Sequence, residues 1–132
     1  MTINFIDLER QQHRIKREID EAISRVLKSG QYIMGEECLD LEKQLAEYTG
    51  RKYCISCANG TDAIRIALVA LGIEKGDFVL TTDFTFFATS EVIAELGAIP
   101  IFVDIDETYN ICPLDLEKKT LELKSNNRKL AG

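Results

Sequence analysis

At 132 residues, with 45% hydrophobic and 29% charged residues, the chain has the makeup of one ordinary globular domain. Sixteen basic against twenty-two acidic residues give a formal net charge of −6 with no Lys/Arg cluster, which argues against nucleic acid or an anionic membrane as a partner. No basic-then-apolar leader opens the sequence and no apolar stretch is long enough to span a bilayer, so a cytoplasmic location is expected.

Residues 2 to 13 read as an extended arm leading into a helix, with His13 a surface residue that has no catalytic partner nearby. Ile15, Ile19, Ile23, Val26 and Leu27 then recur at helical spacing, and Ser29-Gly30 closes the pattern. A short apolar link from Gln31 to Gly35 leads to a second helix carrying Cys38, Leu41, Leu45 and Tyr48, which Gly50 ends. Glu36 and Glu37 fall in its first turn, where the helix dipole favours negative charge, and this accounts for them better than an acid/base role.

Lys52 to Cys57 is expected to form a strand, followed by a helix from about Thr61 to Leu71. A nearly unbroken apolar strand from Asp77 to Thr82, a shorter helix from Ala88 to Leu96 and an apolar strand from Ile99 to Val103 come next. Strand, helix, strand, helix, strand at this spacing predicts two right-handed βαβ crossovers and a parallel sheet with helices on both sides. Pro113 then opens a last helix through Leu114, Leu116, Leu121 and Leu123, and the tail from Lys124 is polar.

The four cysteines do not form a metal or redox pattern. Cys54 and Cys57 make a C-x-x-C, but Cys38 and Cys112 stand alone, His13 is the only histidine, and the pair lies on the expected first strand rather than at a helix start. Core packing is the expected role of that pair. Asp104, Asp106 and Glu107 lack the glycine and distal glutamate of a calcium loop and read as a solvated strand end. No metal site is expected.

The chemistry is expected beyond the carboxyl ends of the parallel strands, where ligands bind in open α/β sheets. Two loops meet there, Ala58-Asn-Gly-Thr-Asp62 and Thr82-Asp-Phe-Thr-Phe-Phe-Ala-Thr89. The first turns an apolar run into a helix start, where unpaired N–H groups and the dipole attract an anion such as phosphate. The second places Phe84, Phe86 and Phe87 where a planar ring can stack. Plain N-capping and core aromatics are the ordinary alternatives. Neither loop matches a Walker loop or a dinucleotide G-x-G-x-x-G.

Six motifs in order, Ile3-Asn-Phe-Ile-Asp-Leu8, Ser29-Gly-Gln-Tyr-Ile-Met-Gly35, Asn59-Gly-Thr-Asp-Ala63, Leu71-Gly-Ile-Glu-Lys-Gly-Asp77, Thr85-Phe-Phe-Ala-Thr89 and Gly97-Ala-Ile-Pro-Ile-Phe-Val-Asp-Ile-Asp106, closely resemble the N-terminal part of the DegT/DnrJ/StrS sugar aminotransferases. These are pyridoxal 5′-phosphate (PLP) enzymes of fold type I. The resemblance implies a three-layer αβα architecture with a mostly parallel sheet, present as a partial large domain: an arm and two helices in 1–50, a βαβαβ core in 51–106, and a terminal helix and tail in 107–132. It implies that Gly60 and Thr61 hold the cofactor phosphate, that Phe86 stacks on the pyridine ring, and that Tyr32 lies close to the active site, its own or a dimer partner's, and contacts substrate.

Family members mostly move an amino group from glutamate to a nucleotide-linked keto sugar, for glycan precursor synthesis. The chemistry needs a lysine that carries PLP and an acid that pairs with the pyridine nitrogen. By the resemblance both lie downstream of Gly132, about a third of the way through the usual family length, so no residue of this chain is assigned a catalytic role. The lysines at hand, Lys52, Lys75, Lys118, Lys119, Lys124 and Lys129, are expected to be solvated. The chain alone is therefore expected to be a truncated, inactive segment. A non-catalytic module binding a phosphorylated metabolite, or a family dehydratase, are the alternatives. Exposed edges of the three expected strands, and the family's habit of dimerising, both predict a homo-oligomer.

Overall fold

The structure is a computed structural model that describes residues 5–125. The chain divides into two compact units, Met1–Ser56 and Cys57–Gly132.

The first unit holds α1 (Leu8–Ser29) and α2 (Glu36–Thr49). Asp7 caps α1 by accepting a hydrogen bond from the Arg10 N–H at 3.0 Å, and Gly30 ends it in the left-handed region at φ 67°. Helix therefore replaces the second half of the expected arm, from Leu8 to His13. The apolar periodicity that marks a helix in the sequence starts only at Ile15, but the Asp7 cap and the good helix formers Glu9 to Gln12 extend it upstream. The first two motif residues, Ile3 and Asn4, lie outside the described residues. In the link to α2, a Cβ on Gly35 would sit 2.7 Å from the Gln31 carbonyl oxygen, so only glycine allows this close approach.

The expected strand at Lys52–Cys57 does not form: these residues lie outside helix and strand. A strand exists through its hydrogen-bonded neighbour, and none of the described residues pairs with this segment. Tyr53 and Ile55 are 72% and 80% exposed. The segment is tied to α2 instead, where Glu42 accepts hydrogen bonds from the Ser56 N–H and hydroxyl.

The second unit contains α3 (Gly60–Ala70), β1 (Phe78–Thr82), α4 (Ala88–Glu95), β2 (Ile99–Val103) and α5 (Pro113–Ser125). β1 and β2 pair in parallel, Phe78 opposite Ile99 through Thr82 opposite Val103, with α4 as the crossover. The described sheet thus has two strands rather than three. Ile73, Ile93 and Ala98 form its core, with Leu68, Val79 and Leu96 packed against them. Val92 and Val103 are fully buried. Helices α4 and α5 lie against the sheet, and α3 packs on α4, where Arg65 and Glu95 pair at 3.8 Å.

The outer side of β2 is closed by the chain itself. Ile99 donates to the Asp77 carbonyl, so Ile99, Ile101 and Val103 turn their backbone groups toward β1, while Pro100 and Phe102 face outward. Pro100 has no N–H to offer, and the Phe102 carbonyl accepts a hydrogen bond from the Lys119 Nζ of α5. Lys119 also pairs with Asp115 at 3.1 Å. The expectation of uniformly solvated lysines is corrected here: Lys119 is half-buried because α5 lays it along the edge of β2.

Candidate functional site

The short return from α3 through Leu71–Asp77 into β1 makes α3 run against the strands, so that its first turn lies toward the end where β1 finishes. Asn59 caps α3. Its side-chain oxygen accepts from the Asp62 N–H at 2.9 Å, and its amide donates to the Asp62 carboxylate at 3.1 Å. The Ala63 N–H is taken by the Asn59 carbonyl. Among the described residues, the N–H groups of Gly60 and Thr61 and the Thr61 hydroxyl have no partner. Nothing lies within 4 Å of where a Gly60 Cβ would be. Two adjacent donors, a hydroxyl and open space at a helix start suit a small anion with several acceptor oxygens. The Asp62 carboxylate is the opposing charge, and the Asn59 amide engages it.

The loop after β1 carries the three phenylalanines. Phe84, Phe86 and Phe87 are 60%, 78% and 70% exposed, so none belongs to the core. Thr82, Thr85, Phe86, Phe87 and Phe102 are among the residues lining a cleft of 320 Å³. The loop is held by hydrogen bonds from the Phe84 N–H to the Thr82 hydroxyl and from the Thr85 N–H to the Asp83 carbonyl, at 3.1 and 2.9 Å. The loop after β2 turns back on itself: Ile105 bridges Ile111, the Asp106 N–H donates to the Asn110 carbonyl and the Tyr109 N–H to the Asp106 carbonyl. Hydrogen bonds from the Thr108 hydroxyl and N–H hold the Asp106 carboxyl below the usual carboxylate range.

Gly60, Thr61 and Phe86 thus fall in the same unit, the first two adjacent on α3 and the third on the loop after β1. Tyr32 belongs to the first unit, in the link between α1 and α2, and is 67% exposed. Nothing in composition or spacing singles out Tyr109. It sits at φ 63° and its ring stacks on Phe84 with centroids 5.6 Å apart. A left-handed aromatic residue is a structural event that composition and spacing do not signal.

The cysteines correct an expectation. Cys57 is exposed and Cys54 only half-buried, so the pair does not pack the core, and the Cys57 thiol donates instead to the Asn59 carbonyl at 3.3 Å. All four cysteines are free. Among the described residues no group of three His, Cys, Asp or Glu is arranged to hold a metal ion, and no helix is long and apolar enough to cross a membrane.

Residues 13–124 match the DegT/DnrJ/EryC1/StrS aminotransferase family. Over 116 residues the chain is 58% identical to the UDP-2-acetamido-2-deoxy-3-oxo-D-glucuronate aminotransferase of Pseudomonas aeruginosa, covering 87% of this chain and 32% of that protein. The crystal structure of a DegT DnrJ EryC1 StrS aminotransferase from Brucella abortus superposes with a TM-score of 0.93 at 42% identity, over 98% of this chain and 35% of that one. NtdA from Bacillus subtilis, solved with bound cofactor PMP, superposes at 0.82 with 33% identity, over 89% and 27%. The chain spans about a third of the length of these relatives. Its architecture is correspondingly part of the αβα layering of fold type I transferases. On the family match and this identity, the chain belongs to the DegT/DnrJ/EryC1/StrS aminotransferase family.

Proposed function

We propose that this chain contributes the phosphate grip and one ring-stacking face of the PLP site in an aminotransferase acting on a nucleotide-linked keto sugar, with glutamate as amino donor. The observation that carries the reading is the pair of unpartnered N–H groups on Gly60 and Thr61, beside the Thr61 hydroxyl and open space at the start of α3. When bound, PLP supplies an electron sink for the carbon from which the amino group is moved. The donors of Gly60 and Thr61 hold the phosphate, the helix dipole adds attraction for its charge, and Phe86 offers an exposed ring face to the pyridine. Tyr32 contacts the substrate. The sugar substrate is supported by the name of the relative that is 58% identical, and the cofactor by the bound PMP of the solved relative.

On this reading the lysine that carries the cofactor and the acid at its ring nitrogen come from outside these 132 residues, and the chain by itself binds without turning over. Lys119, half-buried in the second unit, fits that view because Asp115 and the Phe102 carbonyl already hold its nitrogen. Association with a second copy is part of the proposal, supported by the unpaired, exposed Tyr53 and Ile55.

Equilibrium dialysis against PLP tests the reading. Binding is expected to weaken with added inorganic phosphate and in Thr61→Ala. Absent binding, or binding indifferent to both, overturns it.

A further inference from the structure

The loop bearing Phe86 is anchored to α4 at one end and lies open to solvent along its length. Residues 83–87 are all exposed; at the α4 end the Phe86 carbonyl accepts the Thr89 N–H and the Phe87 carbonyl the Ser90 and Glu91 N–H groups, whereas Phe84 and Thr85 are held only by bonds to Thr82, Asp83 and Thr89. One contact comes from elsewhere in the fold: the Tyr109 ring, from the loop after β2, stacks on Phe84 with an interplanar angle of 29°. Only Thr85 separates Phe84 from Phe86 along the chain, so whatever fixes Phe84 restricts the backbone that presents Phe86.

Tyr109 reaches Phe84 through an unfavourable backbone. Its φ of 63° places a bulky side chain in the left-handed region, which glycine or asparagine would occupy at less cost. Such a residue persists only where its surroundings over-determine it. Those surroundings are present: the Tyr109 N–H donates to the Asp106 carbonyl at 3.0 Å, the Asp106 N–H to the Asn110 carbonyl at 2.9 Å, and the Ile105–Ile111 bridge closes the base. The second loop is thus locked by its own hydrogen bonds with the aromatic ring at its turn. A tight turn alone would be better served by glycine, so the ring is what the strained position is used for.

We propose that Tyr109 is a positioning residue for the Phe86 loop: stacked on Phe84, it links the loops after β1 and β2 and holds Phe86 ready to meet a planar ligand. The ligand part of the statement rests on the reading of Phe86 as the cofactor's stacking face; the loop-ordering part does not. Only the ring is required. The turn keeps its backbone hydrogen bonds whatever the side chain, and a strained residue replaced by asparagine loses the ring while easing the backbone.

Amide hydrogen exchange on the full chain, followed with a PLP titration, tests this. In Tyr109→Asn, exchange at Phe84 and Thr85 is expected to rise by about two- to tenfold, the range that losing one aromatic pair allows, while Leu80 and Ile101 in the sheet stay unchanged. PLP affinity is expected to fall by a similar factor. Tyr109→Phe keeps the ring and is expected to match the wild type in both measurements. Unchanged exchange at Phe84 and Thr85 in Tyr109→Asn overturns the proposal, and so does a Tyr109→Phe variant as perturbed as Tyr109→Asn. If Tyr109→Asn loosens the sheet as well, Phe84→Leu and the double variant decide: effects on Thr85 exchange that simply multiply overturn it, and a double variant no worse than the singles supports it. Should the wild type bind no PLP, the cofactor reading fails while the exchange comparison still judges Tyr109.

Discussion

Glu42 on α2 receives two hydrogen bonds from Ser56, one from its N–H at 2.7 Å and one from its hydroxyl at 2.8 Å. These bonds favour the charged carboxylate, so the Glu42 carboxyl is held below its ordinary value, by the Ser56 N–H first and its hydroxyl second. A carboxyl whose folded value is lowered adds stability that is fully present above the unfolded value and is lost as pH falls through the folded one. The stability gap between wild type and Glu42→Ala is therefore expected to be widest near neutral pH and to close in acid. Urea titrations of both proteins at a series of pH values measure it, and a gap that stays constant from neutral pH into acid would contradict the clamp.

Gly60 separates binding from folding. Its φ is not in the left-handed region and nothing occupies the space a Cβ would take, so Gly60→Ala is expected to leave stability within about 0.5 kcal/mol of wild type. The same methyl group would stand at the start of α3, where the phosphate is proposed to sit. Weaker PLP binding with an unchanged urea midpoint is the expected pairing.

Asn59 offers a charge test at the same helix start. Asn59→Ala removes the cap on the Asp62 N–H and is expected to cost about 1 kcal/mol. Asn59→Asp retains a capping oxygen but sets a second carboxylate beside Asp62. That variant is expected to keep most of the stability and to bind PLP more weakly than Asn59→Ala, with the difference shrinking as salt is raised. Equal affinities for the two variants would remove anion binding from this turn.

Gly97 follows α4 at φ 75°, and a Cβ there would lie 3.0 and 3.1 Å from the Cγ and Cβ of Lys75. Its carbonyl also accepts the Gly76 N–H at 2.9 Å. Gly97→Ala must therefore adopt a disfavoured backbone and push a side chain aside at a junction that carries hydrogen bonds. A loss of about 1 to 2 kcal/mol is expected by chemical denaturation.

Much of this was readable in the residues. The helices of Ile15 to Leu27 and of Ala88 to Leu96, and the strands at Phe78 and Ile99, follow from periodicity and from the glycines that end them. The start of α1 at Leu8 was hidden because a side-chain cap, rather than an apolar stripe, sets it. The strand expected at Lys52–Cys57 has the right residues and no described partner, and pattern reports only the residues. Asn59-Gly-Thr was legible as a helix start, and Asn59 does cap α3. The Tyr109–Phe84 stack was not legible, because it depends on two loops meeting and on one improbable dihedral angle.

Pro100 and Lys119 guard one edge of the sheet. With one outward N–H missing and the Phe102 carbonyl already taken, β2 is a poor template for another strand, whereas no described strand covers the far side of β1. Strand recruitment, whether in folding, in joining a second chain or in uncontrolled aggregation, is therefore disfavoured at Ile99–Val103. At the β2 side the chain already carries its own block.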